Sequence, residues 1–252
     1  MSFNVAATAY DRFMGRFSRP LSVAFADWLG LAQGWTALDV GCGPGALTEV
    51  LAGRLGAASV SAVDPSEPFV AAIRERLPAV SVVRASAEHL PFGDEAFDLT
   101  VAQLVVHFLT DPPGGVAELR RVTRSGGTVA LNVWDFEGRR APQSVFLGAL
   151  KSVVGDADDE ADRAGARHGD LAALLRDSGC RRIEQIELAV TISSPTFEDW
   201  WEPYTLGVGP AGAQLLALDP ERRRLVHDRC RELVGSGPVH TTATAWAAKG
   251  IR

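Results

Sequence analysis

The sequence has little of several things that would narrow its role at once. Only three of its 252 residues are cysteine. Cys42, Cys180 and Cys230 are odd in number and widely scattered, which excludes a disulfide framework and a C-x-x-C metal site. A reducing, cytoplasmic setting is expected from that usage. Basic charge is also short, with 25 Lys and Arg against 31 Asp and Glu, a net charge of -6. A nucleic-acid partner calls for a basic face, so none is expected. No run approaches the ~20 apolar residues of a membrane span. The first residues carry no basic stretch leading into an apolar one, so no secretory signal is expected either. His89, His168, His227 and His240 have no carboxylate or cysteine at ligand spacing, and no metal is expected. There is no internal repeat and no inter-domain linker.

What is present is an ordinary globular composition, 46% hydrophobic and 22% charged, in a chain long enough to bury a substantial core. Short β-branched runs alternate with helical patterns: TALDVG, ALTEVLAGRL, SVSAVD, EPFVAAIRERL, VSVVRA, FDLTVAQ, GGVAELRRVTRSGG and TVALNVW. The last helix of that series should stop at Gly126 and Gly127. Strand–helix alternation predicts an α/β fold with a parallel sheet and right-handed crossovers. Beyond Trp134 the rhythm loosens. One helix is expected before an acidic stretch whose DADDE run reads as a solvated loop. DLAALLRDSGC is a helix with Asp170 as its N-cap, and RRIEQIELAVTI is a long strand. SPTFEDWWEPYTL and PERRRLVHDRCRELVG read as helices before a closing strand, VHTTATAWAAKGIR. The run Arg222, Arg223, Arg224 reads as a solvated helix face.

The most informative residues are Asp39-Val-Gly41-Cys-Gly43-Pro-Gly45, between a strand and a helix. Glycines there allow a sharp turn and let backbone N–H groups approach a ligand. Gly41, Gly43 and Ala46 also satisfy a G-x-G-x-x-G/A pattern, a weak signal alone. A carboxylate at Asp39 would repel a pyrophosphate but suits a ligand carrying positive charge. Asp64 ends the second strand, where a carboxylate can accept hydrogen bonds from both ribose hydroxyls. That placement leaves a nicotinamide dinucleotide and S-adenosylmethionine both open.

The stretches LDVGCGPGALT, VDPS, SAEHLPFGDEAFDLTVAQLVVHFLTD and ELRRVTRSGGTVAL occur together in an order and spacing that resembles the class I S-adenosylmethionine-dependent methyltransferases. The likeness is strongest to the type 11, ubiquinone/menaquinone-biosynthesis-like group acting on small molecules. It runs from about Tyr10 to Trp134, with a weaker match at the last strand. The fold expected is Rossmann-like: a parallel sheet with a final antiparallel strand, helices on both faces and a helical insertion before the last strand. One domain is expected, with an N-terminal lid over 1–34, a cofactor-binding core over 35–134 and a C-terminal half over 135–252 that holds the insertion at about 194–236.

The resemblance implies a role for each matching position. Gly41, Gly43 and Gly45 would wrap the methionine portion of S-adenosylmethionine, with Asp39 near its amino group and sulfonium. Asp64 would hold the ribose hydroxyls, and Pro65 and Ser66 would flank the adenine. Ser86 stands where the family usually has Asp, and its oxygen would accept from the adenine amine without charge assistance. Ala87 and Glu88 would complete the adenine site, and Gln103 would sit beside the sulfur. Tyr10 and Arg16 resemble lid positions that close over the cofactor.

Methyl transfer from a sulfonium is an in-line displacement, releasing S-adenosyl-L-homocysteine, and needs an acid or base only if the acceptor must lose a proton at an unfavourable pKa. His107, just after the fourth strand, is the candidate base, set against a packed histidine without catalytic duty. Phe17, Trp134, Trp200, Trp201 and Tyr204 are candidates for an acceptor pocket, set against ordinary helix faces packed on the sheet. A non-catalytic adenosyl-binding protein would carry the same cofactor residues. A NAD(P)-dependent oxidoreductase would need a Tyr-x-x-x-Lys or its equivalent, and neither Tyr10 nor Tyr204 has a lysine four residues on. The acceptor, the atom methylated and the oligomeric state stay open.

Overall fold

The computed structural model describes residues 7–252. Its centre is a seven-stranded sheet built from β1 (Ala37–Val40), β2 (Val60–Asp64), β3 (Ser81–Arg84), β4 (Phe97–Gln103), β5 (Thr123–Trp134), β6 (Arg181–Ser194) and β7 (Val239–Ile251), in the order β3-β2-β1-β4-β5-β7-β6. The pairs among β1 to β5 are parallel, while β7 runs antiparallel to both β5 and β6. The Rossmann-like α/β fold with an antiparallel final strand is therefore present. From β1 the chain builds outward first on one side, then on the other. That reversal opens a crevice at the carboxyl ends of β1 and β4, where such sheets bind ligands.

Helices cover the sheet: α1 (Ala7–Tyr10), α2 (Arg16–Leu29), α3 (Ala46–Leu55), α4 (Glu67–Arg76), α5 (Pro112–Val122), α6 (Ser144–Val154) and α7 (Asp170–Asp177). A widened π-helical turn, Asp11–Gly15, joins α1 to α2. Phe17, Leu21, Phe25 and Leu29 recur every four residues on α2 and are all buried, one apolar stripe facing the core. Gly30 then takes a left-handed conformation and stops the helix. Between β6 and β7 lies the expected insertion: α8 (Phe197–Trp201), a 3-10 turn (Glu202–Leu206), α9 (Gly209–Ala217) and α10 (Pro220–Val234). Thr196 and Asp199 form a reciprocal capping box at the start of α8.

Three local expectations are corrected. Helix α5 ends at Val122, well before Gly126, because Thr123 leaves the helix for the sheet. Its hydroxyl bonds the Leu119 carbonyl at 2.7 Å and the Thr100 hydroxyl at 2.6 Å, which locks the turn into β5. Asp170 is the first residue of α7 and Gly169, left-handed, is its N-cap. Helix α9 was not anticipated; its two glycines and its proline mask the helical signal of its alanines and leucines. Among the described residues no helix is long and apolar enough to cross a membrane.

Candidate active site

The loop after β1 is shaped by three left-handed glycines, each for a different reason. Gly41 has φ +69°, and a Cβ there would come within 2.4 Å of the Val105 side chain. Gly45 has φ +93°, and its Cβ would meet Arg76 and Ile73 at 2.9 and 3.0 Å, so it serves the packing of the loop against α4. Gly43, at φ +54°, would project a Cβ into open space. Only Gly43 turns a bare backbone outward for a ligand to approach. Arg76 fixes the loop from the other side, donating to the Pro44 carbonyl at 2.6 Å.

Asp64 joins this loop to β2. Its Oδ2 accepts the Gly43 N–H and its Oδ1 the Ser66 N–H, both at 2.8 Å. Burial raises its carboxyl, and those two donors partly offset the shift. Asp39, on β1, is 1% exposed and accepts the Thr48 hydroxyl at 2.6 Å. Burial first, with the charge of Asp64 added, pushes its carboxyl up to about 7.

Above these residues opens a cavity of about 650 Å³. Tyr10, Asp39, Gly41, Gly43, Asp64, Pro65, Ser66, Ser86, Ala87, Glu88 and Gln103 all line it, from five separate segments of the chain. Its size is ordinary for a small-molecule or cofactor site. Tyr10 meets Phe69 edge-on at 5.4 Å on one wall, and Ser18 of α2 lies on another. Gln103 is held at both ends: its amide donates to Ser22 Oγ at 2.7 Å, and Asn132 donates to its Oε1 at 3.4 Å. Ser86 donates to the Glu88 carboxylate and accepts the Glu88 N–H at 3.2 Å. The carboxylate of Glu88 thus stands beside Ser86, as both were expected to sit together. Partial burial would raise the Glu88 carboxyl, but hydrogen bonds from Ser86 and nearby backbone, Thr110 included, hold it below its usual range.

Arg16 lies outside this cavity. Its guanidinium donates to Ser194 Oγ at 3.3 Å and to the carbonyls of Asp199 and Trp200 at 3.2 and 3.4 Å, tying α2 to the insertion. Trp200 and Tyr204 are each 1% exposed, and Phe17 2%. Tyr204 stacks on Phe146 at 4.2 Å and Trp200 packs on Tyr204 at 5.1 Å. With the half-buried Trp201, they form the aromatic core of the insertion and line neither this cavity nor its neighbour. Of the five aromatics expected in an acceptor pocket, Trp134 alone reaches a cavity wall.

That wall belongs to a smaller chamber of about 40 Å³, lined also by His107, Gln143 and Glu160. His107 is 8% exposed, with Phe108 and Phe136 rings at 3.8 and 5.6 Å. Burial, then the charge of Arg163, lowers its imidazole to about 3. At neutral pH it is an uncharged hydrogen-bonding group and a weak proton acceptor. Glu160 corrects the reading of DADDE as a solvated loop. Asp156 and Asp158 are exposed as expected, but Gln214 on α9 both accepts the Asp158 N–H and donates to its carbonyl, pinning the run to the insertion. Glu160 then turns inward on a left-handed backbone, φ +63°, and is 2% exposed. Burial pushes its carboxyl up to about 7, although Arg163 at 3.2 Å favours the charged form.

Residues 38–131 match the model of a methyltransferase domain family. A malonyl-[acyl-carrier protein] O-methyltransferase of Geobacter sulfurreducens is 32% identical over 190 residues, covering 73% of this chain and 70% of that protein. An uncharacterised methyltransferase of Mycobacterium tuberculosis is 34% identical over 164 residues, 65% of this chain; the match spans 63% of that relative's length. Among solved structures, geranyl diphosphate C-methyltransferase from Streptomyces coelicolor, in complex with Mg2+, geranyl diphosphate and S-adenosyl-L-homocysteine, superposes with a TM-score of 0.56 at 16% identity, over 94% of this chain and 80% of that one.

Proposed function

The chain belongs to the class I S-adenosylmethionine-dependent methyltransferases, and from that premise we propose that it binds S-adenosylmethionine in the larger cavity and methylates a small molecule by in-line displacement. The cofactor, when bound, supplies a methyl group on a positively charged sulfur. The observation that carries this reading is the pairing of Gly43 with Asp64. Each Asp64 oxygen has accepted one N–H and keeps a second lone pair, which suits a ribose diol. Gly43 leaves the backbone open beside it. Asp39 and Asp64 together make the floor acidic, favouring a ligand that carries positive charge over a pyrophosphate.

Glu88 and Ser86 offer acceptors for an exocyclic amine, and Ala87 lies between them on the cavity wall. Gln103, fixed by Ser22 and Asn132, stands where the reacting end would lie. Tyr10 and Ser18 bring the N-terminal segment over the cavity as a cover that excludes water. Positioning of this kind supplies most of what a protein adds to a displacement. Titration calorimetry with S-adenosyl-L-homocysteine and with NAD tests the reading. Binding of the first alone is expected; tight NAD binding with none for the adenosyl ligand would overturn it. Turnover of radiolabelled S-adenosylmethionine against phenols, quinols, amines and acids then identifies the acceptor.

A further inference from the structure

The smaller chamber shares three walls, Tyr10, Leu104 and Phe108, with the cofactor cavity. Besides Tyr10, its polar side chains come from four distant segments: His107 after β4, Trp134 at the end of β5, Gln143 before α6, and Glu160 in the acidic run. All four are more than nine-tenths buried, at 8%, 1%, 5% and 2% exposure. In each, one polar atom has no hydrogen-bond partner: His107 Nδ1, Trp134 Nε1, Gln143 Oε1 and Glu160 Oε2. Arg163 faces Glu160 Oε2 at 3.2 Å as an ion pair, but without hydrogen-bonding geometry. Buried polar atoms are seldom left unpaired, because each costs the desolvation of the group. Four such residues lining one chamber mark a place where a ligand can complete the set.

The chemistry of those four atoms selects the ligand. Trp134 Nε1 can only donate, while Gln143 Oε1 and an ionised Glu160 can only accept. His107 is uncharged and plays either part according to its tautomer. A group that fits must accept one hydrogen bond and donate at least one. A hydroxyl does both. A carboxylate donates nothing and would face Glu160, and an ammonium cannot accept from the indole. The chamber admits the tip of a ligand, and Phe13, Phe108 and Phe136 around it suit an apolar body.

We propose that this chamber is the acceptor subsite and that it takes a hydroxyl carried on an aromatic or other apolar body, accepting from Trp134 and sharing its one O–H between Gln143 and Glu160. The assignment rests on the methyltransferase reading above. The test uses the whole chain with 15N-labelled tryptophan, saturated with S-adenosyl-L-homocysteine and titrated with phenol, benzoate and fluorobenzene. A Trp134→Phe variant assigns the Trp134 indole N–H resonance. Phenol is expected to shift that resonance saturably, with benzoate and fluorobenzene at least tenfold weaker. Glu160→Gln, which keeps the shape, should weaken phenol at least fivefold and leave S-adenosyl-L-homocysteine affinity within twofold. Gln143→Leu should act in the same direction, so the result does not hang on one variant's folding. Equal affinity for benzoate, or a Trp134 resonance unmoved by phenol while the nucleoside ligand is bound, would overturn the subsite alone. Failure to bind S-adenosyl-L-homocysteine would overturn the cofactor reading, and the subsite with it.

Discussion

Asp64 and Glu160 are both carboxylates buried at cavity walls, and they are held in opposite ways. Asp64 has one loop N–H on each oxygen, so the nucleotide side carries its own hydrogen-bonding scaffold. Glu160 sits on a strained backbone; Gln143 donates to its Oε1 at 3.4 Å, while its Oε2 faces Arg163 without a hydrogen bond. The difference separates a site complete in its backbone from one finished by its ligand. Substitutions on the two sides should therefore fail differently, one through geometry and the other through specificity.

The largest expected effect comes from the insertion that closes the acceptor side. Trp200→Ala empties a fully buried position in the aromatic core and should cost about 3–5 kcal/mol of stability, read from the urea midpoint. An acceptor-specific change without loss of stability would instead place Trp200 at the ligand.

On the cofactor side, two neighbouring glycines divide stability from binding. Gly41→Ala and Gly43→Ala share the strain of a left-handed backbone, but only the former drives a methyl into Val105. Gly41→Ala should therefore be less stable than Gly43→Ala by about 1–3 kcal/mol in denaturant unfolding. Gly43→Ala should lose more affinity for S-adenosyl-L-homocysteine per unit of stability lost. Asp64→Ala should weaken that binding by roughly 1–3 kcal/mol in calorimetry, the cost of a lost buried partner.

The smallest effect is in pH dependence, where the two sides can be compared directly. Asp39 and Glu160 have folded-state carboxyls raised to about 7. The folded chain then holds more protons than the unfolded chain between their ordinary values and 7, so stability falls as pH rises through that window. His107, lowered to about 3, has the reverse sign: its contribution is present above its ordinary value near 6.5 and is lost as pH falls toward 3. Below pH 6.5 the imidazole therefore cancels part of what the carboxylates give. Glu160→Gln should flatten the loss of melting temperature between pH 5 and 8, leaving the net of Asp39 and the opposing His107. An unchanged profile would mean that Glu160 is ionised without penalty.

The unequal legibility of the two sides has the same origin. Asp39, Gly41, Gly43 and Gly45 sit within one short loop, and Asp64 ends the next strand, so sequence spacing carries their geometry. The elements around them were readable because β1 to β5 alternate with amphipathic helices. The chamber offers no such local pattern. Trp134, Gln143 and Glu160 are brought to His107 only by tertiary packing, and Glu160 hides in a run whose other acids are solvated. Arg16 and the tryptophans of the insertion read as ligand-facing because aromatics and arginine serve a pocket and a core equally well. Two boundaries, the end of α5 and the start of α7, moved for local reasons, above all the Thr123–Thr100 contact that ends a helix before its glycines.

The place of β7 has a kinetic consequence. This strand is last in the sheet's sequence order yet lies between β5 and β6 in space. Until it inserts, β6 has no partner and the open edge of β5 is a template for unwanted pairing. Chain order thus delays closure of the sheet until the whole insertion has been traversed. A refolding chain should pass through a state whose β1–β5 half is protected while β6 still exchanges freely, and a chain cut between α10 and β7 should be trapped there.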